Sequence, residues 1–334
     1  FGDDCILTVW EKRLKEKYPR ATFAVTGPVC QPGYVNIEDL YWLPRFDFHR
    51  ITCAMKESNM VIFPGGGIWQ DKTSFRSLVY YAAITYLAKK AGKPLVLWAQ
   101  GIGPFKYGLS RRLTAKILAR ADLVSVRERL SLKMIEGGCW VPDPTVSFAG
   151  DELLGYKNNA EGAIGYVLAP AGIKQIFDEG KLVNDLRGMR YTVKTIVCQK
   201  REETMKNLSV PAVVWKGDFQ PFLSGLSSCA LIISARLHPL IFASLLGIPA
   251  IGLSMDMKIQ AWQDLTGMPC LRLQGPNRPD DLYGEIKLIL EKNGEYKKKL
   301  KKKVSALFQL EKKEFTKLLT WIAQIIERNA VGND

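Results

Sequence analysis

Short runs of consecutive apolar residues recur along the chain, each closed by glycine or proline and followed by a longer amphipathic stretch. "NMVIFPGGG" predicts a strand at Val61–Phe63 that ends in Pro64 and three glycines. "SFRSLVYYAAITYLAKKAG" then has helical spacing, with an apolar stripe through Leu78, Tyr81, Ala82 and Thr85 to Leu87. Ser74 suits its N-cap, and Gly92 sits where a left-handed C-terminal cap belongs. "KPLVLWAQGIG" and "ADLVSV" read as two more strands, the second ending at Arg127. Such all-apolar strands, alternating with helices, argue for a parallel sheet covered on both faces.

The polar, Gly/Asn-rich segment 151–163 interrupts this alternation and reads as a linker. The pattern then resumes. "AIGYVLAP", "YTVKTIVC", "PAVVW", "ALIIS" and "PAIGL" read as strands, and "IKQIFDEGKLVNDLRG" as a helix. An apolar helix at 314–327 carries Phe315, Leu318, Leu319, Ile322, Ile325 and Ile326, and is expected to brace the first domain. The expected fold is therefore α/β, with two Rossmann-like domains whose mostly parallel sheets face a central cleft. The expected domains are 1–155 and 164–310, with a returning helix at 311–330. A length of 334 residues is long for one core and agrees with two.

Composition narrows the function classes. No apolar run approaches the roughly 20 residues of a membrane span. The seven cysteines are scattered without a C-x-x-C, which reads as reduced thiols and a cytoplasmic setting. Two histidines, His49 and His238, leave no His-rich metal site, so no metal is expected. The net charge of +14 points to anionic partners. Part of the excess lies in "KKKLKKK", read first as a solvated helix face and second as a peripheral contact for an anionic membrane. No nucleic-acid-binding module is evident, so nucleic acid is not expected.

The stretch "ISARLHPLIFASLLGIPAIGLSMDMK" breaks an apolar run with Arg236 and His238. In open parallel sheets, ligands bind beyond the carboxyl ends of strands. "LIIS" ends at Ser234, which puts Arg236 in the strand-to-helix turn. Pro239 suits the first helical position, with His238 as N-cap. A helix N-terminus joined by a guanidinium and an imidazole is an anion site. Lys258, in the next strand-to-helix loop, can face the same crevice. Arg127 tips a strand of the first half, and Arg76 lies on the first turn after the glycines. Taken singly, such an Arg is usually a surface ion-pair partner and such a His usually structural; the pattern at successive strand ends points to a ligand. Gly66 and Gly67 allow close backbone approach.

"FGDD", "PGGGIWQDKTSFRSLVYY", "AQGIGPF", "ADLVSVRERLS", "VPDPTVSF" and "ARLHPLIFASLLGIPAIGLSMDMK" resemble, in this order, the motifs of the polysaccharide pyruvyl transferase family. The match spans 1–258, and the family's strand and Gly-Asn ahead of "FGD" are not in this sequence. The resemblance implies a GT-B-like fold. It implies transfer of the pyruvyl group of phosphoenolpyruvate onto two sugar hydroxyls, with no cofactor and a saccharide or lipid-linked acceptor. It implies donor-site roles for Arg127, Arg236, His238 and Lys258. His238 is the expected proton-transfer residue or a phosphate ligand, and Asp71 the expected base for the acceptor. Leu237, Arg76, Gly66, Gly67 and Gln100 are further substrate-binding candidates. Two other readings stay open: a GT-B glycosyltransferase using a nucleotide sugar, and a non-catalytic anion- or glycan-binding module.

Overall fold

The computed structural model describes every residue except 28–38, 73, 136, 151–152, 154–155, 157–161, 170–176, 200–209, 255–256, 274–278 and 332–334. The chain forms two compact units, and both are discontinuous in sequence. The amino unit comprises Asp3–Pro144 and Gln309–Asp334; the carboxyl unit comprises Phe1–Gly2 and Thr145–Phe308. The change of unit thus falls at Pro144, ahead of the expected linker, most of which lies outside the described residues.

The amino unit holds a five-stranded sheet. Strands β3 (Val61–Phe63), β5 (Leu95–Ile102), β6 (Leu123–Val126) and β7 (Cys139–Trp140) lie in that order, and β4 (Gly66–Trp69) also pairs with β5. All these pairings are parallel. The central β5 is all apolar up to Ala99, and Leu95, Val96, Leu97 and Ala99 are fully buried. One face packs on α2 (Phe48–Glu57), α3 (Phe75–Lys90) and α4 (Gly108–Leu118) through Ile51, Leu78, Ile84 and Ile117. The other receives α1 (Gly2–Lys17) through Ile6, Trp10 and Leu14, together with Phe315, Leu318 and Ile322. Burying each such side chain contributes about 1.5–3 kcal/mol. Two short strands, β1 (Phe23–Gly27) and β2 (Leu40–Pro44), pair separately.

α3 begins and ends as its sequence predicts. The Ser74 side chain accepts from the Ser77 amide at 3.1 Å. Gly92 takes φ +67 after the last turn, where a side chain would be strained.

The carboxyl unit holds six parallel strands: β8 (Ala163–Val167), β9 (Val193–Val197), β10 (Ala212–Val214), β11 (Cys229–Ser234), β12 (Ala250–Ser254) and β13 (Cys270–Arg272). Their spatial order is β10-β9-β8-β11-β12-β13. Counted within the unit, this is 3-2-1-4-5-6, the order of doubly wound dinucleotide-binding sheets. The helices among its described residues are α5 (Glu179–Gly188), α6 (Phe219–Ser227), α7 (Leu237–Leu245), α8 (Met257–Thr266), α9 (Pro279–Glu291) and α10 (Asn293–Val331), whose part from Gln309 onward belongs to the amino unit. The expected helix from 173 begins, in the described residues, at Glu179. Asp178 caps it by accepting from the Lys181 amide. The expected helix at 314–327 is the last part of α10, 39 residues long.

Candidate functional site

The strand order sets where a ligand belongs in the carboxyl unit. Connections leave β8 and β11 in opposite directions, and the crevice outside their carboxyl ends is where sheets of this order bind ligands. Arg236 lies there. Its Nε donates to the carbonyl of Leu168, just past β8, at 2.9 Å. One side chain therefore bridges the two strands that flank the switch point.

Local chemistry holds this turn. Ser234 is fully buried at the end of β11. Its hydroxyl accepts from the Arg236 amide and donates to the Arg236 carbonyl, both at 2.9 Å. The bend leaves Arg236 as the N-cap, in extended conformation at φ −121, ψ 138. α7 therefore starts at Leu237, two residues before the position expected from Pro239. Proline is tolerated at the third helical position because first-turn amides have no intrahelical acceptor anyway. Leu237 is 7% exposed and anchors the turn in the core, whereas Arg236 and His238 are half-buried.

The β8 side of the crevice is equally fixed. Tyr166 is buried and donates its hydroxyl to Glu179 Oε1 at 3.0 Å. The same oxygen accepts from the Ala169 amide at 2.7 Å. Burial, and then the neighbouring Glu179 carboxylate, push the Tyr166 hydroxyl well above its ordinary range. It stays protonated and remains a donor. Lys258 is exposed in the first turn of α8, at the carboxyl end of the adjacent β12. The structure thus places Arg236, His238 and Lys258 at neighbouring strand ends of one sheet.

Two residues not singled out in the sequence support His238. The backbone of Gly2 lies against its imidazole, and a Cβ on Gly2 would overlap the ring. Phe1 packs among Trp215, Phe222 and Phe242, with ring centroids 4.9, 4.6 and 5.2 Å away. The "FGDD" motif was the available signal; without a fold, nothing tied it to a histidine over two hundred residues on.

In the amino unit, Arg127 is 7% exposed at the end of β6. Its Nε donates to Glu128 Oε1 at 2.9 Å and its Nη1 to Asp143 Oδ2 at 2.8 Å. Burial alone would weaken its charged form, but the two carboxylates outweigh that and hold the guanidinium more firmly charged than usual. Asp143 belongs to "VPDPTVSF", a motif within which no single residue had been given a role. Gly67 is exposed on β4, and a Cβ there would lie 3.5 Å from Arg127 Nη2. Gly66 is buried at φ +111 within the same strand.

Two candidates have other tasks. Asp71 is 3% exposed. Its two oxygens accept from the amides of Lys106 at 2.6 Å and Tyr107 at 3.1 Å, anchoring the approach to α4. Burial would raise its pKa, yet the hydrogen bonds it accepts prevail and hold it below the ordinary carboxylate range. That corrects the expectation of a base: both oxygens are engaged, and a lowered pKa weakens proton uptake. Gln100 is fully buried. Its amide nitrogen donates to the carbonyls of Phe63 and Trp98, and its oxygen accepts from Trp69 Nε1. It ties strands together and offers nothing to a substrate. Arg76 is exposed on the first turn of α3.

Comparison with known proteins agrees with this fold. The chain is similar to UDP-GlcNAc 2-epimerase from Rickettsia bellii, with TM-score 0.61, 10% identity, and 96% of this chain and 93% of that one covered. The Neisseria meningitidis enzyme of that activity, bound to UDP-GlcNAc, gives 0.58 at 12% identity over 96% and 98%. Alr3699/HepE of Anabaena, in complex with UDP, gives 0.56 at 13% over 95% and 96%. These likenesses bear on the fold, which is GT-B-like. No curated protein matches the chain. The family model described as "Polysaccharide pyruvyl transferase" matches residues 1–257, which include every motif quoted above except the final lysine. The chain belongs to the polysaccharide pyruvyl transferase family.

Proposed function

We propose that the protein transfers the pyruvyl group of phosphoenolpyruvate onto two hydroxyls of a sugar in a cell-surface or exopolysaccharide precursor, forming a ketal and releasing phosphate. The carrying observation is the Arg236–His238 turn at the switch point of the carboxyl unit, with Lys258 on the adjacent strand end. Phosphoenolpyruvate presents a carboxylate and a phosphate. An arginine fork matches either group, a lysine serves as a point charge, and the first-turn amides of α7 add donors. Addition begins when C3 of the enol takes a proton, leaving positive character at C2. A sugar oxygen then bonds to C2. The second hydroxyl displaces phosphate and closes the ring. Of the two hydroxyl protons, one replaces the proton given to C3 and the other leaves with phosphate. His238 is the proposed proton donor, since imidazole exchanges protons near neutral pH. The scheme calls for no cofactor. The proposed setting is the cytoplasm, with a peripheral contact between the lysines of α10 and anionic lipid.

A nucleotide-sugar glycosyltransferase is the second reading; the neighbours solved with UDP or UDP-GlcNAc share the fold without favouring it. Thermal shift and phosphate release separate the two. Phosphoenolpyruvate at a hundredfold excess over its Kd should stabilise the protein by about 2.7 kcal/mol. UDP should do much less, and phosphate should be released only when a sugar acceptor is present. Arg236→Lys should lower kcat/KM for phosphoenolpyruvate by about tenfold or more, the equivalent of ~1.4 kcal/mol, because the fork is lost although the charge is kept. Strong stabilisation by UDP with none by phosphoenolpyruvate would overturn the pyruvyl reading in favour of glycosyl transfer.

A further inference from the structure

One peptide group of the carboxyl unit is held from both sides. The carbonyl of Leu168 and the amide of Ala169 belong to the same peptide unit, just past the end of β8. Its oxygen accepts from Arg236 Nε at 2.9 Å. Its N–H donates to Glu179 Oε1 at 2.7 Å, and that oxygen also accepts from the Tyr166 hydroxyl at 3.0 Å. Each side chain in this series starts from a fixed element. Tyr166 is fully buried on β8, with its ring stacked on Phe177 at a centroid distance of 6.4 Å. Glu179 is the first residue of α5, whose N-cap is Asp178. Arg236 stands on the turn that Ser234 shapes.

A trans peptide is planar, so its C=O and N–H point in opposite directions and turn together. A carboxylate that accepts from the N–H therefore fixes the direction of the carbonyl, and it also polarises the group so that the carbonyl accepts more strongly. Here the carbonyl holds Nε of a planar guanidinium, and holding Nε restrains the plane of the whole fork. Bidentate recognition of a carboxylate or phosphate depends on that plane. A carboxylate on the same crevice as an anionic donor opposes binding by its charge, so attraction does not account for Glu179. We propose that Glu179 and Tyr166 are positioning residues of the donor site, setting the guanidinium plane of Arg236 through the Leu168–Ala169 peptide. The inference rests on the pyruvyl-transfer reading. Both residues act through Arg236 and take no part in the bond changes.

The test is a double-mutant cycle against Arg236→Lys, read as phosphate release from phosphoenolpyruvate with a panel of p-nitrophenyl hexosides. Glu179→Ala leaves the Ala169 amide without its acceptor. It should lower kcat/KM for phosphoenolpyruvate by roughly tenfold, as a misplaced substrate clamp does. Glu179→Gln keeps an oxygen for the Ala169 amide and should recover part of that loss. Tyr166→Phe removes only a hydroxyl, should act in the same direction by a smaller factor, and remains informative if Glu179→Ala fails to fold. In the Arg236→Lys background there is no guanidinium plane to set. Both substitutions should then cost no more than about twofold further. A purely structural role, such as a favourable charge at the start of α5, predicts instead that the losses multiply. Multiplied losses, or near-normal kcat/KM in either Glu179→Ala or Tyr166→Phe, would overturn this inference alone. Absence of phosphate release by the unaltered chain would overturn it together with the pyruvyl reading.

Discussion

Two carboxylates of the amino unit, Asp71 and Glu128, show how position overrides residue type. Asp71 follows the glycine loop and looked like a base, yet it is a backbone anchor with both oxygens engaged. Because its folded pKa is lowered, the stability it adds is full above the unfolded carboxylate range and is lost as pH falls through the folded value. Asp71→Asn should therefore cost about 1–3 kcal/mol at neutral pH. The gap to the unaltered protein should close below about pH 4. Urea unfolding at several pH values checks both, and a gap that stays constant down to pH 3 would contradict the anchoring role. Glu128 follows Arg127 in "VRERLS", and nothing in the sequence singled it out. Its ion pair with the buried Arg127 is visible only in the fold.

Elements were legible where their pattern was strong. Strands β5, β11 and β12 are buried almost throughout, and an unbroken apolar run is the signature of that environment. β4 was missed because two of its four residues are glycine, which disfavours strands; its pairing with Gln100 and Ile102 of β5 supplies what propensity does not. The start of α7 was misplaced because Ser234, not Pro239, shapes the turn. The contact of α8 with β12 was also invisible, since it depends on the absence of a side chain. A Cβ on Gly252 would lie 2.8 Å from both Gln263 Cγ and Ile259 Cγ2 of α8. Gly252→Ala should displace the helix and cost about 1–3 kcal/mol. Because Lys258 rides on α8, the phosphoenolpyruvate thermal shift should shrink as well. Calorimetry with and without the donor checks this; an unchanged midpoint would mean that α8 yields freely.

At the scale of the whole molecule, the charge is not evenly spread. Leu300, Val304 and Leu307 bury one stripe of α10, which leaves Lys298, Lys299, Lys301, Lys302 and Lys303 exposed. None of these five has a carboxylate partner among the described residues. No helix among the described residues is long and apolar enough to cross a membrane. Each lysine near an anionic lipid surface contributes about 1 kcal/mol, and salt screens it. Co-sedimentation with phosphatidylserine vesicles should therefore be strong at low salt and fall steeply as salt rises. Replacing the five lysines by glutamine should remove it. Binding that ignores salt, or survives the replacement, would reject the lipid contact.

The weaving of the chain between its units bears on how it is made. Phe315, Leu318 and Ile322 complete one face of the sheet in the amino unit, yet they are among its last residues to be synthesised. A nascent chain that has just left the ribosome as far as Pro144 holds Trp10, Val96 and Trp98 without that cover. The sheet must wait, with apolar surface showing, while the whole carboxyl unit is translated. A chain ended ahead of Phe315 would lack the side chains that cover Trp10, Val96 and Trp98.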